Sequence, residues 1–134
     1  MNDINRMENA KLEKIKGDNA WDEAQILLEK EKYDGAVSRA YYAAFHYGCA
    51  LLLTKGLEAQ SHKEMQRLFS LHFIRTGDLT ANMGVLLSHA QKAREEADYF
   101  PEISFTQEIA QERLQDTAAF LNAAKDLLKK LGIE

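Results

Sequence analysis

Cysteine and proline are nearly absent: the 134-residue chain holds one of each, Cys49 and Pro101. A single cysteine excludes an intrachain disulfide and a zinc site built on cysteines, and a cytoplasmic location is the expectation that follows. Long apolar runs are missing too. The longest without tyrosine, Cys49-Ala50-Leu51-Leu52-Leu53, spans five residues, against about 20 needed to cross a bilayer, so no membrane association is expected. The opening MNDINRMENAKLEK is polar and mixed in charge, and reads as neither a signal nor a transit peptide. There is no glycine-rich phosphate loop, no H-E-x-x-H and no nucleophile elbow. The residues three before the four histidines are Ala43, Ala59, Phe69 and Leu86, so the Glu-x-x-His pairs of a di-iron bundle are absent. Neither a metal site nor a cofactor is expected.

What is present is the composition of a folded domain: 46% hydrophobic and 28% charged residues, in a length that suits one domain over residues 1–134. The net charge of −4 argues against bulk electrostatic capture of nucleic acid. That charge is uneven. Residues 1–32 carry net −2 and residues 79–134 net −3, whereas residues 33–78 carry net +1 together with His46, His62 and His72. An anionic ligand is least repelled by this middle third.

No stretch alternates β-branched and polar residues, while apolar residues recur at 3–4 spacing, so the expected fold is an all-α, antiparallel up-and-down bundle of about five helices. The first runs from about Asn5 to Lys32 on Leu12, Ile15, Ala20, Ala24, Leu27 and Leu28, with Gly17 a candidate break. The second follows Tyr33, with Asp34 as N-cap, and ends before Gly56. Ser61-His62-Lys63-Glu64 forms a capping box for the third, which stops before Gly77. The fourth starts at Asp78, carries Leu79, Met83, Leu86, Ala90, Ala93 and Ala97, and ends at Phe100-Pro101. The fifth starts near Ser104, with Gln107 completing a second capping box, and continues to Gly132.

The second helix contains Ser38-Arg39-Ala40-Tyr41-Tyr42-Ala43-Ala44-Phe45-His46-Tyr47. Arg39 and His46 lie two turns apart on one face, about 10 Å between Cα atoms, with Tyr42 and Ala43 between them. A guanidinium is a natural phosphate clamp and an imidazole moves protons near neutral pH. Together they suffice for metal-free phosphodiester cleavage, the histidine activating a ribose 2′-hydroxyl and the arginine stabilising charge at phosphorus. The same two side chains equally suit interhelical ion pairs in a bundle rich in carboxylates. Tyr41, Phe45, Gly48, Cys49 and Leu52 form the complementary stripe, expected to face the core. Arg94 and Asp98, four apart, form a helix-surface pair or pack against the second helix, where Tyr99 would contact a base. His62 and Lys63 open a helix, where free N–H groups favour an anion.

The blocks KYDGAVSRAYYAAFHYGCALL and SHKEMQRLFSLHFIRTGDL, followed by Arg94-Glu95-Glu96-Ala97-Asp98-Tyr99, resemble in order and spacing the HEPN superfamily, and within it the small stand-alone prokaryotic branch. The resemblance covers Trp21 to Leu128. It implies a helical bundle that forms a homodimer. In many such proteins an arginine and a histidine separated by four to six residues form a metal-independent endoribonuclease site, often across the dimer interface. Arg39 and His46, with six residues between them, match that pattern; where the pattern has a polar residue directly after the arginine, this chain has Ala40. The resemblance further implies a toxin acting on RNA or a nucleotide, neutralised by a minimal nucleotidyltransferase antitoxin, with Tyr42 or Tyr47 as acceptor of the transferred nucleotide. The other function class in view is a non-catalytic helical module that dimerises and binds such a partner.

Overall fold

The computed structural model describes residues 3–134; Met1 and Asn2, at the head of the polar N-terminal stretch, lie outside them. Five helices form the fold: α1 (Asp3–Glu29), α2 (Tyr33–Thr54), α3 (His62–Phe69, continued by a π-turn over Ser70–Ile74), α4 (Ala81–Tyr99) and α5 (Gln107–Lys130). The chain is all-α among the described residues, as its periodicity requires.

α2 is the central element. It packs on α1, α4, α5 and α3, and thirteen of its 22 residues are buried, so burial runs nearly around it. Small residues make this possible, because Ala36, Ala40, Ala43, Ala44 and Gly48 let neighbouring backbones approach closely. α1 and α2 run antiparallel and share the largest interface: Glu23 meets Arg39, Asp18 meets Tyr47, and Glu13 meets His46. The main core, built on Tyr41, Leu51, Leu52, Met65, Phe69, Phe73, Phe120 and Leu128, lies between α2 and helices α3 to α5.

Several expected boundaries move for identifiable reasons. Gly17 does not break α1; a Cβ there would stand 2.5 Å from Cδ1 of Tyr47, so this glycine permits close approach of α2. α1 ends at Glu29 and not Lys32, because Glu31 takes a left-handed conformation (φ 62°) and the Lys32 N–H closes back on the Leu27 carbonyl. Glycine serves the same role after α2 and α5, at Gly56 and Gly132. Asp34 is not the N-cap of α2 but lies in its first turn, accepting a hydrogen bond from the Phe105 N–H and tying down the α4–α5 connection. Ser61 caps α3 as expected, accepting from the Glu64 N–H. α4 begins at Ala81, since Asp78 is occupied by Thr76 and Lys55. Thr106, not Ser104, caps α5 by accepting from the Ile109 N–H.

Leu12 and Ile15 depart from the expected core face of α1, being 57% and 53% exposed. Ala20 and Ala24 of that expected face are buried, and Ala10 joins them inside, because α1 packs on small side chains. Leu12 and Ile15 line a groove of about 520 Å³ with Cys49, Leu53 and Leu57. None of the described helices is long and apolar enough to cross a membrane.

Candidate functional site

Along α2, Arg39, Tyr42, Phe45 and His46 are only partly buried. The core claims the small and aromatic residues between them, and this half-open strip is left on the flank. Ala40, where the family pattern has a polar residue, is 1% exposed and packs with Ala24, Ala36 and Leu114. A polar side chain at that position would enter the core.

Three other elements converge on the strip. α4 contributes Arg94, which follows Leu87 by two turns and therefore shares its inward face; only 6% of its side chain is exposed. Its guanidinium lies 5.4, 5.8 and 5.6 Å from the ring centres of Tyr41, Tyr42 and Tyr99, within cation–π range. Its Nη1 donates to the Tyr99 hydroxyl at 3.4 Å and stands 3.7 Å from the Asp98 carboxylate, while its buried Nε has no partner. Burial alone would lower its pKa, but interactions with Tyr42, Tyr99 and Tyr41 outweigh burial and hold it charged. Arg39 approaches the Tyr42 ring at 5.2 Å, so two guanidinium groups flank one phenol.

α3 contributes His62, whose Nδ1 is 2.7 Å from the Tyr41 hydroxyl and whose ring lies 4.4 Å from Phe45. Desolvation first, then the Arg94 charge and His46, depress its pKa against the opposing pull of Glu95. α1 contributes carboxylates: Glu13 binds Nδ1 of His46 at 2.7 Å, and Glu23 stands 3.6 Å from Nε of Arg39. Arg39 and His46 are thus each paired within the chain, yet neither is buried, with side chains 36% and 20% exposed.

The fold gathers Arg39, Tyr42, His62, Arg94, Asp98 and Tyr99 around Tyr41 and Tyr42, with His46 beside them across Phe45. It does not bring Tyr47 there. One residue beyond His46 is about 100° further round the helix, and Tyr47 points toward α1, 3% exposed, with its hydroxyl donating to Asp18 beside Lys14. Lys63 is exposed. Glu13, Glu23 and the roles of Tyr41 and Phe45 are additions made by the structure. No local pattern marks the two glutamates, since only the α1–α2 register pairs them with Arg39 and His46. Among the described residues no group of three or more His, Cys, Asp or Glu side chains could hold a metal ion.

Chemically, the site offers two cations around a phenol, two imidazoles against one ring, and an open aromatic face at Tyr99, which is 66% exposed. Guanidinium groups bind phosphate and an exposed ring stacks a base. The sequence matches the family described as "HEPN domain" over residues 14–127. It is 32% identical to the "UPF0332 protein" of Thermotoga maritima over 82% of this chain and 83% of that one. Two proteins of Methanocaldococcus jannaschii carrying the name "Putative toxin" are 35% and 34% identical, over 81% and 87% of this chain and 80% and 81% of theirs.

Proposed function

The chain belongs to the HEPN family, and from that premise we propose that it is a toxin-like member that binds RNA and cleaves it without a metal. His46 takes the proton of a ribose 2′-hydroxyl at Nε2 while the 2′-oxygen bonds to phosphorus. The 5′-oxygen leaves with a proton from water, and His46 returns its own to solvent. Arg39 and Arg94 stabilise the charge that builds on the phosphoryl oxygens. The observation that carries this reading is the convergence of these two arginines on Tyr42 beside the partly open His46. The names of the Methanocaldococcus relatives support the toxin assignment.

A homodimer and a minimal nucleotidyltransferase antitoxin complete the proposal. Exposed Leu12 and Ile15 beside the apolar groove support self-association through α1. Tyr42, half-buried between the arginines, is the tyrosine suited to receive a nucleotide, whereas Tyr47 is enclosed. The second reading, a non-catalytic interaction module, draws on the pairing of Arg39 and His46 with α1 glutamates.

End-labelled RNA incubated with pure protein in excess EDTA separates the two. Products ending in a 2′,3′-cyclic phosphate, lost in both Arg39→Ala and His46→Ala with circular dichroism unchanged, are expected. No cleavage, or equal cleavage by all three proteins, would refute the nuclease and leave the module.

A further inference from the structure

Two histidines from different helices lie against the same ring, and each is fixed at Nδ1 by a partner of opposite character. His46 has its Nδ1 2.7 Å from a carboxylate oxygen of Glu13. A carboxylate only accepts, so the proton sits on Nδ1 and the neutral ring keeps its lone pair at Nε2. His62 has its Nδ1 2.7 Å from the hydroxyl of Tyr41. Tyr41 is fully buried, and that burial raises its hydroxyl far above the ordinary phenol range, so it stays O–H. Desolvation and the neighbouring Arg94 and His46 favour the neutral form of His62. The phenol therefore donates to Nδ1, and the imidazole proton rests on Nε2. The two rings lie 5.5 and 4.4 Å from the ring of Phe45.

We infer that His62 is a second functional residue of this site, a neutral Nε2–H donor to a phosphoryl oxygen of RNA, held in that tautomer by Tyr41 and complementary to His46, whose Nε2 Glu13 leaves bare. The inference rests on the reading that this face holds RNA. Arg94 and Arg39 already supply the positive charge, and Arg94 opposes an imidazolium at His62, so a neutral donor is what the surroundings select. His62 changes no protonation state in the proposed cleavage. Its task is to direct one hydrogen bond, and that task survives in a protein that binds RNA without cutting it. Tyr41 and Glu13 touch no substrate and act as positioning residues.

The test reads tautomers and binding separately from cleavage. Long-range 1H–15N spectra of the free protein above pH 7.5 should show the proton of His46 on Nδ1 and that of His62 on Nε2. Glu13→Leu should release His46 to the Nε2–H form, whereas Glu13→Gln, whose amide oxygen still accepts, should preserve the native tautomer. Affinity for a 2′-O-methyl RNA oligonucleotide, which this chemistry cannot cut, should fall about tenfold in His62→Phe, the value of one hydrogen bond to a charged acceptor. His62→Gln, with a side-chain N–H donor, should recover much of it. Either histidine in the opposite tautomer overturns the inference even if the protein cleaves RNA, and so does unchanged affinity in His62→Phe. Binding that follows these variants without any cleavage refutes the nuclease and supports the donor role; no binding by the wild-type protein overturns both.

Discussion

Replacing Gly17 with alanine sets helix propensity against packing, and the geometry decides the sign. Inside a helix alanine is favoured over glycine by about 1 kcal/mol. At Gly17 the added methyl would stand 2.5 and 2.8 Å from two ring carbons of Tyr47 and 3.1 Å from the Ala43 carbonyl oxygen. Carbon contacts are comfortable only beyond roughly 3.5 Å, so ring or helix must yield by about 1 Å. Tyr47 has little room to do so, being 3% exposed with its hydroxyl bound to Asp18. Overpacking of this kind costs about 1–3 kcal/mol, and the α1–α2 contact is the largest in the fold, which places the cost in the upper part of that range. The expected net effect is a loss of about 1–2 kcal/mol and a Tm lower by about 4–8 °C. Gly84→Ala is the matched control: its methyl would meet only Ile74 carbons at 3.6 and 3.8 Å, ordinary contact, so propensity acts alone and stability rises by up to about 1 kcal/mol. Thermal melts and urea titrations of both variants measure this. A Gly17→Ala protein as stable as the wild type would refute the close-approach role.

Two further predictions concern backbone and charge. Glu31→Gly should stabilise the protein by up to about 1 kcal/mol in urea unfolding, because Glu31 occupies a left-handed conformation (φ 62°) that glycine adopts without strain. For His62 the folded-state pKa is depressed, so the unfolded chain binds the extra proton first as pH falls through its ordinary range near ~6.5. Stability should therefore decline from about pH 7 downward and level off below the folded pKa, and His62→Gln should flatten that part of the profile; a slope that His62→Gln leaves intact would assign it elsewhere.

Helix number and order were legible in the sequence because the 3–4 spacing of apolar residues survives in every element, and the Ser61 capping box and Gly56 and Gly132 stops carry local signals that need no partner. Boundaries failed where a residue with capping chemistry was claimed by tertiary structure. Asp34, inside the first turn of α2, is drawn to the Phe105 N–H, and Asp78, ahead of α4, to Lys55 and Thr76, so neither serves as a cap. Leu12 and Ile15 read as core because spacing gives a face and not what covers it. At the site, Arg39, Tyr42 and His46 were visible as one stripe of a helix. For Arg94 the spacing left a helix-surface pair and packing against α2 both open, and the three tyrosine rings around its guanidinium decide for packing. Glu13 and Glu23 lie beyond any local pattern, being joined to α2 by register alone.

On the proposed reading the two glutamates also reconcile an acidic chain with a polyanionic ligand, because they hold their partners unequally. Glu13 lies at hydrogen-bond distance from His46, with side chains 27% and 20% exposed. Glu23 stands 3.6 Å from Arg39, beyond hydrogen-bond distance, and is 55% exposed. An exposed pair of the second kind is worth about 0–1 kcal/mol, less than the ~1.5–3 kcal/mol of a hydrogen bond to a charged phosphate. On the proposed reading an incoming phosphate therefore displaces Glu23 from Arg39 at small cost, while Glu13 stays on His46 and keeps its Nε2 directed outward. The acidic surface then serves as a weak competitor for the clamp and a fixed orienter for the base. Rising salt should weaken RNA binding through the arginines while leaving the His46 tautomer unchanged.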